Sequence, residues 1–156
     1  MQVLTIDEML FRMAFDRDVD FHDSYPQSTY LDRQTGEILW VYEEDEDAQM
    51  DVGIPPAENQ ALREHISASP GLYLEIPGLN HGDHHAILRE FLASEWTDDE
   101  AAEGKAQAAY FGSIGGWKKT VKDGSAIYAF NEFRDQQMQR MAEEFLSQHG
   151  IKPQWK

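Results

Sequence analysis

The fold turns on Thr29-Tyr30-Leu31-Asp32-Arg33-Gln34-Thr35-Gly36-Glu37-Ile38-Leu39-Trp40-Val41-Tyr42. Two runs rich in β-branched and aromatic residues flank a polar stretch containing a glycine, which predicts two antiparallel strands and a short turn. Gly36 stands where such a turn needs a positive φ, a conformation that strains any residue carrying a Cβ. A third strand is expected at Leu72-Tyr73-Leu74-Glu75-Ile76, where Leu72, Leu74 and Ile76 alternate with Tyr73 and Glu75 as a half-buried sheet requires. Pro77-Gly78 stops it.

Helical periodicity surrounds these strands. Thr5-Ile6-Asp7-Glu8 reads as a capping box opening a helix over about 5–15, with Ile6, Met9, Leu10 and Met13 on the packed face and Asp7, Glu8 and Arg12 in water. Pro55-Pro56 introduces a helix over about 57–68, in which Leu62 and Ile66 lie one turn apart, and Pro70-Gly71 ends it. Ile87, Leu88, Phe91, Leu92 and Trp96 have helical spacing and predict a helix over 83–96. Thr97-Asp98-Asp99-Glu100 is a second capping box, predicting a helix over about 98–110 before the glycine-rich turn at 111–117. A last helix over about 125–148 presents Ile127, Phe130, Phe133, Met141 and Phe145 on one side, and Gly150 and Pro153 mark its end. The expectation is an α+β fold: a small antiparallel sheet, hairpin plus third strand, packed with several helices, the C-terminal half being helical. With 156 residues, 41% of them hydrophobic and 12% aromatic, and no internal repeat, the chain is expected to form one domain over 1–156.

Composition narrows the function. No stretch of about 18 apolar residues could span a bilayer and no basic, apolar leader opens the chain, so a cytoplasmic protein with no membrane contact is expected. The absence of cysteine excludes disulfides, thiolate metal sites and a cysteine nucleophile. A net charge of -16 argues against direct nucleic-acid binding, because that affinity comes from Lys and Arg displacing counterions. The charge is uneven. Between 16 and 59 the acids Asp16, Asp18, Asp20, Asp23, Asp32, Glu37, Glu43, Glu44, Asp45, Glu46, Asp47, Asp51 and Glu58 face only Arg17 and Arg33. From 105 onward the chain is slightly basic, with Lys118, Lys119 and Lys122 close together. The consecutive acids Glu43, Glu44, Asp45, Glu46 and Asp47 repel one another and are expected to form a solvated, mobile loop over about 43–54.

Three constellations bear on chemistry. His81-Gly82-Asp83-His84-His85 is the densest group of ligand types, and His81, Asp83 and His85 are its metal candidates. The spacing matches no zinc helix, however, and a cap at Asp83 or Asn80 would leave His81 ahead of the helix, so no metal or other cofactor is assigned. The glycines of 112–116 precede Lys118, Lys119 and Lys122 and could cradle an anion, but Gly112 is followed five positions later by Trp117, so the phosphate-loop template fails. Glu75 is flanked by apolar strand residues, yet its alternation puts it on the polar face, so a solvated side chain is expected there rather than a general acid. Ser113 has no nucleophile-elbow context and no assignable base, and no catalytic residue is assigned.

The order of the segments resembles uncharacterised bacterial protein family 0158. The residues carrying the resemblance are Tyr30-Leu31-Asp32 with Thr35-Gly36-Glu37-Ile38, the acidic run, Leu72-Tyr73-Leu74-Glu75-Ile76-Pro77 and Ile87-Leu88-Arg89-Glu90-Phe91-Leu92. Trp117-Lys118-Lys119-Thr120-Val121-Lys122-Asp123, Phe133-Arg134-Asp135 and Phe145-Leu146-Ser147-Gln148-His149-Gly150-Ile151 complete it. The resemblance implies an α+β cytosolic bacterial protein and carries no activity or catalytic set. The cluster at His81, His84 and His85 and the Ile114-Gly115-Gly116-Trp117 turn depart from the family pattern.

The functional expectation is a non-enzymatic accessory or regulatory protein. It would bind a basic macromolecular partner through Glu43, Glu44, Asp45, Glu46 and Asp47, or a second copy of itself through Lys118, Lys119 and Lys122. The alternative is a small metal-dependent or phosphate-handling enzyme using the 81–85 region or the 112–122 glycine and lysine turn.

Overall fold

The computed structural model describes residues 1–16, 27–42, 56–93 and 124–156. The expected acidic loop, the helix over 98–110 and the glycine-rich turn lie outside these residues. Among those described, the chain runs β1 (Gln2–Ile6), α1 (Glu8–Asp16), β2 (Gln27–Asp32), β3 (Ile38–Tyr42), α2 (Pro56–Ala68), β4 (Tyr73–Ile76), α3 (His81–Ala93), α4 (Gly124–Gln148) and β5 (Ile151–Trp155). This is the expected α+β class: four helices, a three-strand antiparallel sheet and, unforeseen, a two-strand parallel sheet. Two compact units result, Met1–Gly78 with Ala142–Lys156, and Leu79–Met141. None of the described helices is long and apolar enough to cross a membrane.

In the first unit the hairpin forms as its sequence predicts. Leu31 pairs with Ile38 and Gln27 with Tyr42, while β4 adds to the other side of β2, giving the order β3-β2-β4. The turn is held by its own polar side chains. The Asp32 carboxylate accepts from the N–H groups of Gln34 and Thr35 at 2.8 and 3.1 Å, and the Thr35 hydroxyl accepts from the Glu37 N–H at 3.2 Å. Gly36 adopts φ +79°, the left-handed conformation the turn requires. Leu31, Ile38, Val41 and Ile76 are buried with Thr29, whose hydroxyl donates to the Ile76 carbonyl at 3.2 Å and so satisfies its own burial.

The chain termini correct the sequence reading. Residues from Gln2 to Ile6 form a strand rather than the first turn of a helix, and β1 pairs in parallel with β5, from Gln2 opposite Ile151 to Ile6 opposite Trp155. Strand alternation buries Leu4 and Ile6 and leaves Val3 exposed. The helix cap lies two residues later than the one expected at Thr5, and the helix itself starts at Glu8. Asp7 is the cap: its carboxylate accepts from the Leu10 N–H at 2.9 Å and its carbonyl from the Phe11 N–H at 3.0 Å. The packed face is consequently Phe11, Ala14 and Phe15, while Met9, Leu10 and Met13, expected inside, are exposed. Gly150 and Pro153 lie past the end of α4, as expected, and Pro153 falls within β5, where a two-strand sheet leaves each strand a free side that tolerates the missing N–H.

The hairpin turn abuts β1. A Cβ on Gly36 would overlap the Thr5 carbonyl oxygen, and the Gln2 side-chain amide donates to the Arg33 carbonyl at 2.6 Å. The Arg33 guanidinium donates to the His149 carbonyl at 3.1 Å, placing positive charge just past the C-terminal end of α4, where the helix dipole favours it. An aromatic series packs the same unit. Phe11 stacks on Phe15 at 5.9 Å and meets Trp155 at 5.7 Å, and Phe15 meets Phe145 at 6.0 Å.

In the second unit, Leu79, Ile87, Leu88, Phe91 and Leu92 are buried together with Phe130 and Met138 of α4. The Phe91 ring lies 5.5 Å from Phe130 and 5.6 Å from Phe133. The face expected for α4 is off-centre: Phe130 is buried, but Ile127, Phe133, Met141 and Phe145 are half-buried. Met138, Ala142 and Leu146 are the further buried positions, so burial follows a line stepping by fours from Met138.

Candidate functional site

The acidic run begins at the residue after Tyr42, the last of β3, and the chain re-enters described structure at Pro56, the first of α2. Proline suits that first helical position because its missing N–H has no intrahelical partner there. One turn into the helix, Asn59 reaches back. Its Oδ1 accepts from the Tyr42 N–H and its Nδ2 donates to the Tyr42 carbonyl, both at 2.9 Å, and the side chain is only 3% exposed. The amide thus stands in for a strand neighbour at the outer edge of β3 and fixes where the chain leaves the sheet and where it returns.

Asn59→Ala is expected to cost about 2–4 kcal/mol, because it orphans a backbone donor and a backbone acceptor at a buried position. Asn59→Asp keeps the bond from the Tyr42 N–H but turns a carboxylate oxygen toward the Tyr42 carbonyl. It should be no more stable than the alanine variant in a urea denaturation series.

Beside this clamp the sheet and α2 form a half-open pocket of about 240 Å³. It is lined by Ser28 and Tyr30 of β2, Val41 and Tyr42 of β3, and Arg63, Ile66 and Ser67 of α2. The volume is below the roughly 300–1,000 Å³ typical of drug-sized ligands, so the space suits a side chain or a small polar group. Its residues are scattered over three elements and share no motif, and sequence reading did not find them. Asn59 could have been suspected only as a polar residue at a helical position facing the sheet.

The histidine region is a helix start. The Asn80 Oδ1 accepts from the Asp83 N–H at 2.8 Å and the Asp83 Oδ2 accepts from the Asn80 N–H at 3.0 Å, a reciprocal capping box. Asn80 is therefore the cap, and α3 begins at His81, two residues earlier than its apolar spacing predicted. Positions 81 and 85 consequently fall one turn apart, which corrects the expectation that His81 precedes the helix. The Asp83 carboxylate is occupied as part of the cap, His84 is buried and His85 half-buried. Among the described residues no three His, Asp or Glu side chains gather as a metal group.

The remaining candidates are not brought together among the described residues. Glu43, Glu44, Asp45, Glu46, Asp47, Lys118, Lys119, Lys122 and Ser113 lie outside them. Glu75 is exposed on β4 opposite Tyr30, as its alternation predicted. On α4, a hydrogen bond to Glu132 and that carboxylate's charge raise the exposed Tyr128 phenol above its ordinary pKa. No family model, curated protein or solved structure matches the chain.

Proposed function

We propose that this chain is a non-enzymatic accessory or regulatory protein of the cytoplasm, belonging to uncharacterised bacterial family 0158, that binds a basic macromolecular partner. Glu43, Glu44, Asp45, Glu46 and Asp47 form the centre of its binding surface. The observation that carries this reading is the charge: -16 overall, with thirteen acids against Arg17 and Arg33 between 16 and 59. A field of one sign accelerates encounter with an oppositely charged surface and repels polyanions. The Asn59 clamp supports the reading, since it ties the two ends of the acidic segment to one point of the sheet. The partner is a protein with a basic surface, or the Lys118, Lys119 and Lys122 region of a second copy.

Charge attraction across a solvated surface is screened within about 10 Å at 0.1 M ionic strength and within a few ångströms at molar salt. Capture of partners from a nuclease-treated extract of the source cells should therefore retain a stoichiometric basic protein at 0.05 M salt and lose it at 0.5 M. Replacing the five acids of 43–47 by Gln and Asn should lower the affinity at least tenfold at low salt. Equal retention at both salts, or no effect of neutralisation, would sink the reading.

A further inference from the structure

The half-open pocket between the sheet and α2 is built where a strand period meets a helix period. Ser28 and Tyr30 stand two apart on β2, and Ser28 pairs with Val41 of β3, so all three lie on one face of the sheet. Arg63, Ile66 and Ser67 stand at i, i+3 and i+4 on α2 and share one face of the helix. The helix is tied to the sheet at two points. Asn59 holds Tyr42 by two hydrogen bonds of 2.9 Å, and the His65 ring meets Tyr73 of β4 edge-on at 5.8 Å. The walls are therefore preformed, which spares a ligand the cost of ordering them.

The chemistry of the pocket is one-sided. Three hydroxyl-bearing side chains, Ser28, Tyr30 and Ser67, and one cation, Arg63, share about 240 Å³ with the apolar surfaces of Val41 and Ile66. Among the described residues that line it there is no acid, in a chain whose net charge is -16. Asp32 and Glu75 stand on the same face of the sheet, but the first is bonded to the hairpin turn, the second is exposed, and neither lines the pocket. Arg63 is half-buried with its Nη1 atom out of solvent, so its charge is held at the fold rather than extended into water. A guanidinium pairs with carboxylate or phosphate through two parallel N–H donors. It carries five such donors, enough to keep a contact within the chain and take an anion as well.

Charge and shape select the anion. One cation balances one negative charge, and the field of the chain penalises a second, which disfavours the phosphate dianion. Val41 and Ile66 offer an apolar wall that phosphate would leave uncovered and a short hydrocarbon chain would cover. The volume, below that of drug-sized sites, limits this chain to a few carbons. We infer that the pocket binds a small monocarboxylic acid, its carboxylate on the Arg63 guanidinium and the hydroxyls of Ser28, Tyr30 and Ser67, its short chain against Val41 and Ile66. None of these residues belongs to the 43–47 run, so the pocket binds its acid whether or not that run binds a basic partner.

The test titrates the full chain at constant ionic strength with butyrate, with butyramide, which has the same shape and no charge, and with inorganic phosphate. Binding is read from the tyrosine ring and arginine Nε–H signals in nuclear magnetic resonance spectra. Butyrate should shift the Tyr30 and Arg63 signals and bind at least tenfold more tightly than either of the others. Arg63→Gln should lose at least tenfold of the butyrate affinity. Ser67→Asp changes an exposed position and supplies Arg63 with a carboxylate one turn away. It should compete with butyrate and lower its affinity at least tenfold, with an unchanged far-ultraviolet spectrum.

No shift with butyrate overturns the site. So does full butyrate affinity in a folded Arg63→Gln variant, and so, whether or not that variant folds, does full affinity in Ser67→Asp. Equal binding of butyrate and butyramide would make the pocket an apolar slot, and phosphate bound as tightly as butyrate would make it a general anion site. Either result overturns the choice of a monocarboxylate.

Discussion

Gly36→Ala is expected to lower the stability of the first unit by about 3 kcal/mol or more. Two costs add. The residue sits at φ +79°, where an L side chain costs about 1–2 kcal/mol. A Cβ there would also overlap the Thr5 carbonyl oxygen and approach its carbon to 3.0 Å, and a backbone carbonyl within a strand cannot rotate aside as a flexible side chain can. Relieving the overlap moves either β1 or the hairpin turn, a rearrangement of the kind that costs about 1–3 kcal/mol when a packed site is overfilled.

The chain contains its own controls. Gly71 and Gly150 also have positive φ, +89° and +72°, but a Cβ at either would meet nothing within 4 Å. Gly71→Ala and Gly150→Ala should therefore pay the conformational cost alone, about 1–2 kcal/mol each. Urea denaturation of the three variants separates the terms: the excess of Gly36→Ala over the other two is the closeness of the turn to β1. Domain stabilities are commonly about 5–15 kcal/mol, so the excess is large enough to read. Equal losses in all three would mean that the turn does not abut Thr5. Amide exchange gives a second view. In Gly36→Ala the amides of β1 and β5 should exchange faster than in the other variants, because the bonds that join the turn to β1 and to His149 are made by its neighbour Arg33.

How much of this was legible beforehand follows from the range of each interaction. The hairpin is local: its strands, its Asx turn and its glycine lie within sixteen residues, each with a known preference, and the structure agrees with them. The start of α3 was half legible. Asn80 and Asp83 were both recognised as caps, but only the pair of reciprocal bonds decides between them, and that choice moved the helix start to His81. The pairing of β1 with β5 was not legible, since it joins residues about 150 positions apart and neither strand carries a turn signal pointing to the other. This has a further effect: counting Ile6, a strand residue, as the first apolar position of the helix sets a phase that places Met9, Leu10 and Met13 in the core. The clamp by Asn59 and the pocket beside it depend on side chains from separate elements meeting across the sheet, which no spacing rule encodes.

Phe11→Ala is the substitution that distinguishes the two readings of α1. Phe11 has no exposed surface, stacks on Phe15 and packs against Trp155 of β5, so its ring joins the helix to the parallel sheet. Removing a buried phenylalanine costs about 3–5 kcal/mol, through lost transfer free energy and the cavity left behind. The expected loss lies in that range, toward the upper end, because the neighbouring rings are held by a helix on one side and a strand on the other and cannot close in freely. Met13→Ala, at a position 57% exposed, should change stability by about 0.5 kcal/mol or less. Had the apolar spacing counted from Ile6 been the packed face, the order would be reversed, with Met13 in the core and Phe11 near the surface. A thermal or urea series on these two variants therefore reads the rotation of α1 directly. A loss at Met13 as large as that at Phe11 would mean that Met13 is covered within the folded chain.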